Sequence, residues 1–155
     1  LNGMELKASS SQEYSQFNNQ CSYYTGIACL NVLDLMITQI VDKTNQSLTA
    51  HTVIRAVKKL LEHRQMLLVA MRYVYDNWKV CMDAKTIDLI EEYEKSCKSV
   101  ERWLILALRY GKTNNINCLK MILEEIPEVY KKERSILNDF INNSIDWKIF
   151  NKEFI

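Results

Sequence analysis

The stretch HTVIRAVKKLLEHRQMLLVAMRYVYDNW (residues 51–78) decides the fold. Within it Val53, Val57, Leu60, Arg64, Leu67, Met71, Val74 and Trp78 alternate at steps of four and three. That spacing returns a side chain to the same helix face at every turn. No glycine or proline interrupts it. Thr49, just upstream, suits an N-cap, since its hydroxyl can accept an orphan backbone N–H. One helix would carry the seam over ~45 Å. One member does not fit: Arg64 stands where an aliphatic side chain belongs. Either Arg64 is paired inside the fold, or the helix breaks near His63-Arg64-Gln65. A break is the expectation, because helices of this length are uncommon in globular domains and a buried guanidinium needs a partner.

Upstream, Ile27, Leu30, Leu33, Met36, Ile37 and Ile40 form a wide apolar face on a helix over about residues 23–43. Asn31, Asp34, Thr38 and Asp42 leave only a narrow polar strip. So narrow a strip predicts a helix wrapped by others, the central hydrophobic helix of a bundle. Downstream, Asp83 can cap a helix over 84–98, with Ile87, Ile90 and Cys97 inward. Ser99 can cap another over 100–110, which Gly111 would end. Asn114 or Asn115 opens a helix to Ile126. Pro127 then opens one to about residue 142, since proline is tolerated in a first helical turn. Residues 145–155 read as a short aromatic helix with Trp147, Phe150 and Phe154.

The result is an all-α domain over residues 21–155. It is either a single compact bundle or a short helical-repeat stack of seven to eight helices. Residues 1–20 are polar and read as a flexible arm. A chain starting at Leu1 is expected to be excised from a larger protein. The segment 106–111 followed by 118–124 resembles one ankyrin-type helix pair, in its alanine and glycine at the first helix's end and its apolar second helix ending in Glu124. That resemblance implies stacked hairpins. It covers about an eighth of the chain, lacks the Thr-Pro-Leu-His opening, and carries two extra residues in the turn.

Composition agrees and excludes. Three glycines and one proline in 155 residues cannot supply the turns of a β-rich domain. The net charge of +1 gives no global attraction to nucleic acid or anionic membrane. No apolar run is long enough to span a bilayer, and the opening Leu-Asn-Gly-Met-Glu-Leu does not have the form of a signal peptide. Five cysteines (21, 29, 81, 97 and 118) are odd in number and without close pairs. Free thiols in a reducing, intracellular compartment follow, nucleus or cytoplasm.

For function, catalysis comes first. Gln20-Cys21-Ser22-Tyr23-Tyr24 resembles the nucleophile helix of cysteine proteases, and a helix N-terminus can arm a thiol. A thiol enzyme also needs an oriented histidine base. Only His51 and His63 exist, both on the amphipathic helix after Thr49. Metal-ligand pairs at tetrahedral-site spacing are missing, as is a glycine-rich phosphate loop. The carboxylates Asp88, Glu91, Glu92 and Glu94 read as a solvated face. The expectation is therefore no enzyme, no metal and no cofactor.

Nucleic acid is the second hypothesis. Residues 51–82 hold Arg55, Lys58, Lys59, Arg64, Arg72 and Lys79 against Glu62 and Asp76, an excess of +4. The basic strip 55–72 could contact phosphates. The bland alternative is a solvated face balanced by residues 83–97, whose charge is −3. Protein binding is the third hypothesis and the preferred one. Tyr73, Tyr75 and Trp78 cluster at the end of the basic helix, flanked by Arg72 and Lys79. Aromatic and arginine side chains are the usual anchors of interfaces. The expected contact residues are Arg55, Lys59, Arg72, Tyr73 and Tyr75, in a non-enzymatic scaffold or adaptor module that binds a peptide or helical segment.

Two further resemblances add context. Ser11-Gln12 and Ser15-Gln16 resemble acceptor sites of DNA-damage-response kinases, which implies phosphorylation at Ser11 and Ser15 and a nuclear regulatory protein. The chain's length and its Ile, Asn, Lys and Tyr richness are similar to poxviral proteins sharing the fold of apoptosis-regulator bundles. That likeness implies a helical decoy of apoptosis or innate signalling, whose groove takes an amphipathic helix around a central helix such as 23–43. The Asn-Trp-Gly-Arg signature of that family is absent; Asp76-Asn77-Trp78-Lys79 lacks its glycine and arginine.

Overall fold

A computed structural model describes residues 27–144 and 146–154, apart from the side chains of Trp147, Phe150, Glu153 and Phe154. The polar arm 1–20 with Ser11 and Ser15, Cys21, and residues 23–26 of the first expected helix lie outside the described residues. Among the described residues the chain is all-α. Its helices are α1 (Ala28–Val41), α2 (Ala50–Trp78), α3 (Thr86–Thr113), α4 (Asn117–Asn143) and the short α5 (Trp147–Phe154). A single 3₁₀ turn, Lys79–Cys81, follows α2.

The apolar seam of α2 is buried as far as Met71, and Val74 and Trp78 beyond it are half-buried. Val53, Val57, Leu60, Arg64, Leu68 and Met71 are its buried members. The steps are four, three, four, four and three, the period of a straight α-helix rather than of a strict heptad. Leu68 has thus taken the place expected for Leu67. Thr49 starts the helix in an extended conformation, and its N–H donates to Thr52 Oγ1 at 3.4 Å, the return half of a capping box.

Four long helices close a ring around one core. α1 packs on α2 and α4, α2 on α3, and α3 on α4. Neighbours run antiparallel. Gly111 near the end of α3 faces Ala50 and Ile54 at the start of α2, and Arg72 near the end of α2 pairs with Glu94 of α3 at 3.0 Å. Leu30, Leu33, Val53, Val57, Trp103 and Ile122 are among the fully enclosed side chains. α5 is tied to the 3₁₀ turn by backbone bonds. Asp83 N–H donates to Ser144 O at 2.8 Å, and Asp146 N–H to Cys81 O at 2.6 Å.

Among the described residues, the expected seven to eight helices are corrected to four long ones and a short one. Besides the break expected at Arg64, the extra boundaries came from Ser99, Gly111 and Pro127, residues that suit a helix end but sit inside a helix here. Ser99 does not cap; its hydroxyl donates back to Lys95 O at 3.3 Å, within α3. Gly111 lies inside α3, and Asn114 ends the helix in the left-handed conformation, at φ 53°. Pro127 lies within α4 on the solvent side, where Ile126 and Val129 beside it remain buried. Its ring removes one backbone bond and leaves the packed stripe intact. Asp83 accepts from Lys85 N–H at 2.8 Å just ahead of α3.

Helices of 28 and 27 residues also replace the ankyrin-type hairpin, since segments 106–111 and 118–124 are only the facing ends of α3 and α4. Nor is α1 a central helix. Leu35 is 58 % exposed and Asn31 is exposed, so α1 is one wall of the ring with a wet outer face.

Candidate interaction surface

The break expected at Arg64 is absent, because Arg64 is paired inside the bundle. Its Nε donates to Glu133 Oε1 at 2.7 Å and its Nη2 to Oε2 at 2.8 Å, a side-on double bond. Nη1 donates to Leu60 O at 3.2 Å, and Ser96 Oγ donates to Glu133 Oε1 at 2.6 Å. Arg64 is 2 % exposed and Glu133 1 %. Burial alone would pull the guanidinium's pKa down. The Glu133 carboxylate and its hydrogen bonds outweigh that and hold it above the ordinary arginine value. Burial first, and the Glu133 charge second, raise the Tyr93 hydroxyl and push the Cys97 thiol up to about 11. This sealed node can fix the order and register of helices. Its acid–base groups meet no solvent.

The outer face of α2 is open. Arg55, Lys59 and Tyr73 share it, since Tyr73 stands five full turns, about 27 Å, beyond Arg55. Lys59 is 83 % exposed and pairs with Glu62 at 3.3 Å. Arg55 and Lys58 are exposed and have no ion-pair partner among the described residues. Two expected contact residues fall elsewhere. Arg72 is held sideways by Glu94 on α3. Tyr75 is half-buried against the core, with Lys79 Nζ 5.5 Å from its ring centroid. Trp78 is likewise half-buried. The basic strip is also shorter than its sequence, because Arg64 has left the surface and Lys59, Arg72 and Lys79 have carboxylate partners.

Sequence reasoning missed the apolar part of this face. Met66, Val69 and Tyr73 are 73 %, 67 % and 64 % exposed. Their spacing of three and four stacks them along one solvent-facing ridge. Single exposed apolar side chains are normal; three consecutive ones at helical spacing make a stripe. Among the other exposed apolar residues, Ile105 and Leu108 stand three apart on α3, while Leu35, Met121 and Ile141 lie singly on α1 and α4. A signal for the ridge was present: Met66 and Val69 are apolar residues out of phase with the buried seam.

His51 and His63 are both exposed on α2. Among the described residues no group of three or more His, Cys, Asp or Glu could hold a metal ion, and no helix is long and apolar enough to cross a membrane. Cys81, Cys97 and Cys118 are buried free thiols, and Cys29 is half-buried. Compared with protein-family models, curated proteins and solved structures, the chain matches none.

Proposed function

We propose that this domain is a non-enzymatic interaction module that binds an amphipathic helical segment along the outer face of α2. The observation that carries the reading is the exposed ridge Met66–Val69–Tyr73, continued toward the helix start by Arg55, Lys58 and Lys59. A partner helix could bury its own apolar seam on the ridge and set acidic side chains opposite the cations. Burying three such side chains is worth on the order of 5 kcal/mol before association costs. The partner is thus an amphipathic helix, apolar at one end and acidic at the other.

Selection from a displayed library of helical peptides tests this. Enriched sequences should combine apolar residues at three- and four-residue spacing with Asp or Glu at one end. A Met66→Ser/Val69→Ser/Tyr73→Ser variant, whose side chains leave the core untouched, should melt like the parent yet lose those peptides. Arg55→Glu/Lys58→Glu should weaken acidic peptides more than neutral ones. Enrichment without that pattern, or equal binding by the ridge variant, would reject the α2 face.

A further inference from the structure

A second candidate site lies at one end of the bundle, away from the middle of the α2 ridge. Here the end of α1, the loop after it, the end of α3 and the start of α4 enclose a half-open basin of about 560 Å³. That volume is in the range of small-molecule sites. Its apolar lining is Ile40, Val41, Leu48, Tyr110 and Ile116, all half-buried, so each still shows apolar surface to the basin. The polar lining contains no carboxylate. It consists of Lys43, Lys120, Asn45, Gln46 and Asn114.

The charges are unbalanced in one direction. Lys43 and Lys120 are exposed and make no ion pair among the described residues. The Tyr110 hydroxyl also has no hydrogen-bond partner among the described residues. Lys43 and Asn114 are the two non-glycine residues with left-handed backbone among those described, at φ 56° and 53°, and both turns bring them to the rim of this basin. An apolar floor with a cationic rim discriminates against both simple classes of ligand. A small inorganic anion gains nothing from the floor, and a neutral hydrocarbon gains nothing from the lysines.

We infer that this basin binds a medium-chain aliphatic carboxylate, its chain on Ile40, Val41, Leu48 and Ile116 and its carboxylate held by Lys43 and Lys120. The inference stands apart from the α2 interaction reading and shares no residue with it. The full chain, labelled for amide NMR, is titrated with octanoate, octan-1-ol and acetate. Octanoate should give saturable shifts confined to residues 40–48, 110–120 and their contacts. Octan-1-ol and acetate should each bind at least about tenfold more weakly. Lys43→Gln/Lys120→Gln, both substitutions on exposed side chains, should leave the rest of the spectrum unchanged and weaken octanoate by roughly tenfold. Added salt should weaken octanoate in the parent and have little effect in the variant. No saturable shift at the basin, equal binding of octan-1-ol, or octanoate affinity unchanged in the variant would each overturn the assignment.

Discussion

Arg64 and Glu133 meet side-on at 2.7 and 2.8 Å from helices that do not otherwise pack on each other. α2 and α4 stand at opposite corners of the ring, and the long arginine side chain crosses the core between them. Ser96 of α3 completes the carboxylate's shell. Three helices are thus registered at one point by groups that only a matched arrangement can satisfy. A helix shifted by one turn would leave a buried charge unpaired, which costs several kcal/mol.

The two partners are therefore expected to be strongly coupled. Arg64→Met leaves Glu133 buried without its cation, and Glu133→Leu leaves the guanidinium without its acceptor. Each single substitution should cost about 3–5 kcal/mol in chemical denaturation. The double variant Arg64→Met/Glu133→Leu should recover most of that loss, because an apolar pair of similar volume needs no partner. Single variants within about 1 kcal/mol of the parent would show that the pair does not constrain the fold.

How far the sequence revealed this fold can be argued from the same residues. The all-α class followed from side chains returning at each turn and from the scarcity of glycine and proline, which are backbone constraints acting locally. The paired alternative for Arg64 was also open from its position, but its partner was not legible. Glu133 is 69 residues away, and no local rule connects them. Helix boundaries were misread where a cap-competent residue sits on a solvent-facing position. Ser99 can satisfy a helix end or bond back within a helix, and only the packing of Val100 and Trp103 beside it decides which. The interaction face was half legible. Arg55, Lys59 and Tyr73 share it, whereas Tyr75 and Arg72 are drawn to the core and to Glu94, choices made by neighbouring helices.

Gly111 gives a direct check on the long α3. If it ended a helix in the left-handed conformation, a side chain there would be strained. Inside α3, a Cβ added to it would meet Ile54 Cδ1 at 3.4 Å and Ala50 Cβ at 3.6 Å, ordinary contact distances. Gly111→Ala should therefore raise stability by about 0.5–1 kcal/mol, through lower backbone entropy in the unfolded chain. A drop of similar size in the denaturation midpoint would mean that α3 stops before this position or that α2 approaches more closely.

Glu125 should make part of the stability acid-labile. It accepts from Trp103 Nε1 at 2.6 Å and from the Arg102 guanidinium. Partial burial raises its pKa, but the Arg102 and Trp103 hydrogen bonds outweigh that, and the carboxyl is held below its ordinary value. A depressed carboxylate adds stability above its unfolded pKa, and the contribution disappears as pH falls through the folded value. Glu125→Gln keeps an acceptor for Trp103 but loses the charge. Its melting temperature should lie below the parent's at neutral pH and converge with it as pH falls through the folded carboxyl's lowered range. The gap should be modest and should shrink with salt, since Arg102 is more than half exposed. A gap that persists in acid would assign the effect to packing.

The cysteines report on the core by their reactivity. Cys81, Cys97 and Cys118 are each no more than 4 % exposed, whereas Cys29 on α1 is half-buried. Burial raises the Cys29 thiol, with the Arg64 charge opposing, so its thiolate is scarce at neutral pH. Cys97 is pushed up to about 11 by burial and by Glu133, which leaves it almost wholly protonated. Alkylation by iodoacetamide, read for each cysteine by peptide mass spectrometry, should modify Cys29 before Cys81, Cys97 and Cys118, and faster as pH rises. Modification of Cys97 should lag by about a hundredfold or more and follow global unfolding, because its side chain belongs to the buried core. The Arg64→Met variant should collapse that difference, since loss of the pair loosens the packing around both thiols. Equal native-state rates at Cys29 and Cys97 would show that the bundle opens locally at Glu133 and that the buried node is not the rigid centre of the molecule.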